Sequence, residues 1–221
     1  GNPFITFGLN QQADVYATDI KTHHDGTVEF VLHTLSGFAP VHLSLIGEHN
    51  VMNALAAAAV GVAAGVPVAS ICKGLVTAKA VDKRLVPRAG LNGVHIIDDT
   101  YNANPIAMEM AIKVLMQYEG EKVFVTGDMV ELGPETEMYH YRLGEKARRL
   151  GVNRIYTVGE LSRHTADGFG ADAYYFTDQD SLIHALQAEL KPSVHILIKG
   201  SRSTHMENVV KALLPKERAS V

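Results

Sequence analysis

The sequence predicts an α/β fold: a mostly parallel sheet flanked by helices, preceded by a smaller α+β segment. Three observations carry that reading. From Val94 onward, short β-branched runs alternate with amphipathic stretches, the rhythm of strand, crossover helix and strand. The first 45 residues instead alternate polar and apolar positions, as an antiparallel meander does. Between the two lies an alanine-rich stretch whose apolar residues fall on one helical face.

The elements follow in order. Strands are expected at Phe4–Gly8, Asp14–Lys21, Thr27–Thr34 and Pro40–Leu45, with turns at His24-Asp25-Gly26 and Ser36-Gly37. From Asn50, the residues Val51, Leu55, Ala58 and Val62 share one face of a helix that alanine favours. Gly65 can end it, and Pro67 stops it running on. A short helix follows at Val68 to Thr77, with Cys72 as a small buried hydrophobe. Lys79 to Arg88, with four basic residues and Pro87, reads as a linker. Further strands are expected at Val94–Ile97, Lys122–Thr126, Arg154–Val158, Ala173–Phe176 and His195–Ile198. Helices are expected near Ile106–Tyr118, Glu135–Leu150, Asp180–Leu190 and Thr204–Leu214. Glu135 and Glu137 open one helix and Arg148 and Arg149 close it before Gly151, which suits the dipole at both ends. Thr204 and Glu207 have capping-box spacing.

Composition narrows the function. Hydrophobic residues make up 47% and charged ones 20%, which excludes a disordered chain. The net charge of −4 offers no electrostatic footprint for nucleic acid, since the only dense basic run is Lys146 to Arg149. One cysteine makes no internal disulfide and fits a reducing compartment. The longest apolar stretch, Val51 to Val68, is broken by Asn53, glycines and Pro67, so no membrane span is expected. Gly1-Asn2-Pro3-Phe4 carries no basic segment of a secretory signal, and the chain opens without Met on what reads as a strand. The expectation is a fragment with an upstream part removed.

Four segments concentrate chemistry. In Ile96-Ile97-Asp98-Asp99-Thr100-Tyr101-Asn102-Ala103-Asn104-Pro105, a buried strand ends in two carboxylates and a helix opens at Pro105. An acid there can accept ribose hydroxyls; equally, Asp98 or Asp99 can cap a loop and Asn104 the helix. In Val125-Thr126-Gly127-Asp128-Met129-Val130-Glu131, two carboxylates three residues apart suit an ammonium group or a metal, or a solvated turn. In Lys199-Gly200-Ser201-Arg202-Ser203-Thr204, cations and backbone N–H groups meet at a helix start, which suits a carboxylate or phosphate. In Gly47-Glu48-His49-Asn50-Val51-Met52-Asn53, two amides lie three residues apart; an amide can pair with an adenine edge, and Asn50 can equally cap the helix. No G-x-x-x-x-G-K-[ST] loop and no G-x-S-x-G motif occur, and neither histidine spacing nor cysteine count points to a zinc site. His23-His24 reads as a solvated turn.

Taken in order, G-E-H-N-x-x-N-A-L-A-A-A, D-D-T-Y-N-A-N-P, G-D-M-x-E-L-G and K-G-S-R resemble the Mur ligases of peptidoglycan synthesis, over essentially the whole chain. The Y-N-A-N-P form and the pairing of the last two motifs resemble the branch that adds D-Ala-D-Ala. That resemblance implies an ATP- and Mg2+-dependent amide ligase. A carboxylate of UDP-MurNAc-tripeptide is phosphorylated, and the amine of D-Ala-D-Ala displaces phosphate. It also implies the domain division: residues 1–83 as the end of a truncated central ATPase domain, and 84–221 as a complete C-terminal Rossmann-like domain. The P-loop, the carbamylated lysine and the principal metal ligands would lie upstream, so the fragment alone is expected to be inactive, with no catalytic residue or metal ligand of its own.

Residue roles carry over with the motifs. Asn50 and Asn53 match adenine-side asparagines, Arg84 an arginine that reaches ATP phosphate, and Asp99 the acid that holds the ribose. Tyr101, Asn102 and Asn104 line the same loop. Asp128, Glu131, Lys199, Ser201 and Arg202 match the D-Ala-D-Ala side, while His49 and His140 are expected to be structural. The resemblance further implies a bacterial cytoplasmic monomer. Another Mur-type ligase, a folylpolyglutamate synthetase and a non-catalytic Rossmann-like binding module are the alternatives.

Overall fold

A computed structural model of the chain describes residues 4–215, so the abrupt start at Gly1 lies outside them. The chain forms two compact units, residues 1–80 and 81–221.

In the first unit, β2 (Val15–Thr22), β3 (Thr27–Thr34) and β4 (Gly37–Ile46) form the expected antiparallel meander. The inner face presents Val15, Ala17, Val28, Phe30, Leu32, Val41 and Leu43. Two helices cover it: α1 (His49–Ala63) with Val51, Leu55 and Ala58, and α2 (Val68–Val76) with Ile71, Cys72 and Leu75. Gly65 takes the left-handed conformation (φ 72°) that closes α1. The expected strand at Phe4–Gly8 shrinks to β1 (Phe7–Gly8), parallel to β2. The reason is local: the N–H and hydroxyl of Thr6 both donate to the Asp14 carboxylate, at 2.8 and 2.7 Å, which closes a loop in place of a ladder.

The second unit is a six-stranded sheet. Its strands are β5 (Val86–Ala89), β6 (His95–Asp99), β7 (Glu121–Thr126), β8 (Arg154–Val158), β9 (Ala173–Phe176) and β10 (Val194–Lys199), in the order β5-β6-β10-β7-β8-β9. All neighbours pair in parallel except β5, which runs antiparallel on the edge. On one face lie α3 (Pro105–Leu115), α4 (Thr136–Leu150) and α5 (Ser162–Phe169); on the other lie α6 (Gln179–Gln187) and α7 (Glu207–Leu213). Alternation along the strands feeds both cores. Val123, Val125, Ile196 and Ile198 pack with Leu182, Leu186, Val209 and Leu213 under α6 and α7, and Ile97, Phe124, Ile155 and Leu197 are the buried residues of opposite parity. Because α3 and α4 leave β6 and β7 on one side while α7 leaves β10 on the other, the strand order reverses around β10. The crevice beyond its carboxyl end is where open α/β sheets bind ligands.

Three expectations need correction. The second half of the linker is strand β5; Pro87 is tolerated there because an edge strand can spare one N–H. Helix α5 was not foreseen. Its apolar residues are few, because it meets α4 backbone to backbone: a Cβ on Gly144 would lie 2.1 Å from the Thr165 carbonyl oxygen, and one on Gly168 2.0 Å from that of Tyr141. The capping box at Thr204 does not form either. The helix starts at Glu207, and the Thr204 hydroxyl donates to the Ser201 carbonyl (2.6 Å) inside a 3-10 turn at Arg202–Thr204.

Gly144→Ala must push the two helices apart, since the obstructing atoms are backbone. The expected cost is about 1–3 kcal/mol or more, read as a lower urea midpoint at unchanged slope.

Candidate functional site

The carboxyl ends of β6, β10 and β7 bring together three of the four motifs read from the sequence. Their centre is a buried ion pair: Lys199 Nζ donates to Asp99 Oδ2 at 2.5 Å and to the Asn102 carbonyl at 2.8 Å. Asp99 Oδ1 accepts the Leu85 N–H at 3.2 Å. Burial pushes the Asp99 carboxyl above its ordinary range, and the adjacent Lys199 ammonium and the Leu85 N–H hold that rise back. Asp98 points the other way, to Arg88 Nε (3.1 Å) and the Thr100 hydroxyl (2.8 Å).

These bonds fix the segment that enters the second unit. Lys83 and Leu85 both adopt positive φ (62° and 49°), and the Lys83 carbonyl accepts the Tyr101 N–H at 2.9 Å. The exposed Arg84 guanidinium then stacks 4.2 Å from the Tyr101 ring centroid. Asn102 is exposed beside Tyr101, while Asn104 caps α3 by accepting the Ala107 N–H at 2.8 Å. Lys83 Nζ reaches Glu207 Oε1 at 3.0 Å, and Arg202 Nη1 reaches the same oxygen at 3.3 Å. Burial works against the Glu207 charge, but the α7 backbone and the two cations keep its carboxyl below the usual range.

The loops after β7 and β10 are stitched together past the end of the sheet. Gly127 N–H donates to the Lys199 carbonyl and Ser201 N–H to the Asp128 carbonyl, both at 3.0 Å. The Ser201 hydroxyl accepts the Val130 N–H at 3.0 Å. A Cβ on Gly200 would sit 2.6 Å from Thr204 Oγ1, 2.7 Å from Met206 Cγ and 3.3 Å from Gly127 Cα, so a larger residue would have to displace these neighbours. Asp128 Oδ1 accepts both the N–H (2.7 Å) and hydroxyl (2.6 Å) of Ser162 at the start of α5. Buried His140 places Nε2 3.1 Å from the Met129 nitrogen and 3.2 Å from the Met129 carbonyl oxygen, and its Nδ1 pairs with the Thr165 hydroxyl (2.8 Å). Burial depresses the His140 pKa, which favours the neutral ring, against the Met129 carbonyl and the Asp128 charge, which favour the protonated one.

Most of the candidate residues therefore brace the crevice. Lys199 and Ser201 are buried, and their polar side-chain atoms serve neighbouring loops. Arg202 and Glu131 are exposed, Glu131 on a left-handed backbone (φ 63°). The sequence reading missed the partners Ser162, Thr165, Arg88 and Glu207. No local pattern marks them, because each is brought in from another element.

The fourth motif lies in the first unit. The helix starts at His49, so Asn50 is not its cap. Asn50 Nδ2 donates to the Ile46 carbonyl (2.9 Å), and Asn50 Oδ1 accepts Asn53 Nδ2 (3.0 Å). That relay sets the orientation of both amides and leaves Asn53 exposed.

Residues 83–202 match the family model "Mur ligase, glutamate ligase domain", and residues 1–61 match "Mur ligase middle domain". The UDP-N-acetylmuramoyl-tripeptide–D-alanyl-D-alanine ligase of Escherichia coli is 42% identical over 91% of this chain and 44% of its own length. That of Bacillus subtilis is 33% identical over 95% and 47%. A crystal structure of MurF from Acinetobacter baumannii superposes with TM-score 0.86 at 37% identity, covering 94% of this chain and 46% of that one. MurF from Thermotoga maritima in complex with ADP gives 0.81 at 25% identity, over 94% and 47%. The chain thus spans about half the length of the relatives it matches.

Lys199→Met leaves Asp99 buried beside an apolar stem. A loss of about 3–5 kcal/mol in stability is expected, with partial recovery on adding Asp99→Asn; urea unfolding of both variants checks it. Neutral His140 gives a pH signature. Its lowered pKa makes its contribution present above about 6.5, the ordinary histidine value, and lost as pH falls through the lowered one. The stability gap between wild type and His140→Gln is therefore expected to shrink on going from about pH 7 to about pH 5, by at most ~1.4 kcal/mol per pH unit.

Proposed function

The chain belongs to the Mur ligase family, and on that premise we propose that it forms the amine-substrate half of an ATP-dependent ligase joining D-Ala-D-Ala to UDP-MurNAc-tripeptide. The observation that carries the reading is the stitched crevice of the second unit. Two loops held rigid by Asp128, Ser201 and Lys199 present the exposed Arg202 and Glu131 beside the carboxyl end of β10. A guanidinium fork suits the terminal carboxylate of a dipeptide, and a carboxylate suits its ammonium group. On this reading Lys199, Ser201 and Asp128 position the loops, and Arg202 and Glu131 touch the dipeptide.

For the nucleotide, exposed Arg84 stacked on Tyr101 offers a cation for phosphate, and Asn102 lines the same loop. Asn104 holds the start of α3, and Asp99 holds the loop's far side through Lys199. In the first unit, Asn50 orients Asn53 to offer a donor and an acceptor to an adenine edge. Phosphorylation of the acceptor carboxylate supplies the leaving group that amine attack requires. Magnesium finds no fitting ligand set in the second unit's acidic motif, because Asp98 and Asp99 are committed to Arg88 and Lys199. Residues 1–83 would be the end of the central ATP-binding domain, and 84–221 the C-terminal domain.

The test is phosphate release by a full-length ligase carrying this chain, with ATP, magnesium and UDP-MurNAc-tripeptide. Release is expected to depend on D-Ala-D-Ala; release indifferent to the dipeptide, or dependent on a different amine, overturns the assignment. Arg202→Ala is expected to raise KM for D-Ala-D-Ala at least tenfold, equivalent to ~1.4 kcal/mol, with KM for ATP unchanged. A selective loss of ATP affinity would reassign Arg202.

A further inference from the structure

The outer face of the small sheet carries a cluster that the ligase reading does not use. Glu29 on β3 lies opposite Lys21 on β2 and opposite His42 on β4. His23 follows β2 on the same side. One ligand atom each from His23, Glu29 and His42 lies within 4.8 Å of the others. His23 Nε2 is already 3.3 Å from Glu29 Oε2, and the two imidazoles are 5.4 Å apart between ring centres. His23 Nε2 is shielded from solvent yet has no well-directed hydrogen bond.

We propose that His23, Glu29 and His42 form a binding site for a first-row divalent transition ion, zinc foremost. Tetrahedral zinc with bonds of ~2.0–2.1 Å places its ligand atoms ~3.3 Å apart. The His23–Glu29 separation meets that spacing, and the exposed His42 ring closes the rest by rotating about its side-chain bonds. The supports are built in. His23 is fixed by its N–H to the Thr27 carbonyl (2.8 Å), while its carbonyl accepts the Gly26 N–H (2.9 Å). Thr27 is held in turn by Asp25, through both its N–H (3.0 Å) and its hydroxyl (2.7 Å). Lys21 Nζ sits 3.4 Å from Glu29 Oε1, which turns the other oxygen toward His23. Two imidazoles and one carboxylate favour zinc, cobalt, nickel or copper over magnesium or calcium. The fourth position falls to water. The linear spacing carries no zinc signal because the ligands come from three places, the turn after β2, β3 and β4.

Such an ion clips three strands together and stabilises only the folded chain. The test uses the untagged chain, stripped with a chelator and titrated with zinc chloride by calorimetry, and with cobalt by visible absorption. One tight site per chain is expected, with a rise in Tm. His42→Ala, His23→Ala and Glu29→Gln should each weaken it about tenfold or more, whereas His24→Ala, an exposed neighbour, should leave it unchanged. Circular dichroism confirms that each variant is folded. Zinc affinity unchanged in the His23→Ala/His42→Ala double variant, absence of a stoichiometric site, or equal loss in His24→Ala overturns the proposal.

Discussion

The entry segment and the loop after β6, at the carboxyl end of the larger sheet, depend on one buried charge pair. Lys199 ends β10 and Asp99 ends the adjacent β6, so the bond between them crosses the point where the strand order reverses. Two ions in that position are stable only because their remaining valences are filled by the Asn102 carbonyl and the Leu85 N–H. Those two partners belong to the loop after β6 and to the segment that enters the unit. A single ammonium thereby fixes a strand end, an entry segment and the loop after β6 at once. A purely apolar core could hold the strands together, but it could not set the path of the Tyr101–Asn104 loop.

This shifts the meaning of charged motifs at such a crevice. In K-G-S-R, the lysine and serine look like ligand-binding groups, yet both are buried and engaged. The exposed arginine, which reaches Glu207 through one guanidinium nitrogen, is the member that our proposal assigns to a ligand. The same division holds in G-D-M-V-E: Asp128 is tied to Ser162, and Glu131 is open to solvent. Rigid scaffolding and contact are distributed between neighbouring residues of one short string. That is consistent with a site that must be organised before its substrate arrives.

Much of the fold was legible because it is periodic. The meander, the alanine helix and the β6-to-β10 alternation follow from hydrophobic spacing, and the strands at Arg154–Val158 and Ala173–Phe176 were read to the residue. What failed has physical causes. Helix α5 packs through glycine backbone and so lacks an apolar stripe. Strand β5 looked like a linker because Pro87 and its charges are acceptable only at an edge. The motifs themselves were visible as clusters of polar residues after buried strands, but their partners were not. Arg88 for Asp98, Ser162 for Asp128 and Glu207 for Lys83 are set by topology, and topology leaves no trace in local sequence.

The contacts around the β7 loop close on themselves. Asp128 holds the start of α5, α5 meets α4 through Gly168 and Gly144, and His140 of α4 returns to the Met129 N–H while also gripping Thr165. The loop is therefore triangulated, like a joint in a truss whose members share load. Loosening one member transfers strain to the other two before the loop can swing. The position of the loop is therefore set jointly by α4 and α5, and not by its own residues alone.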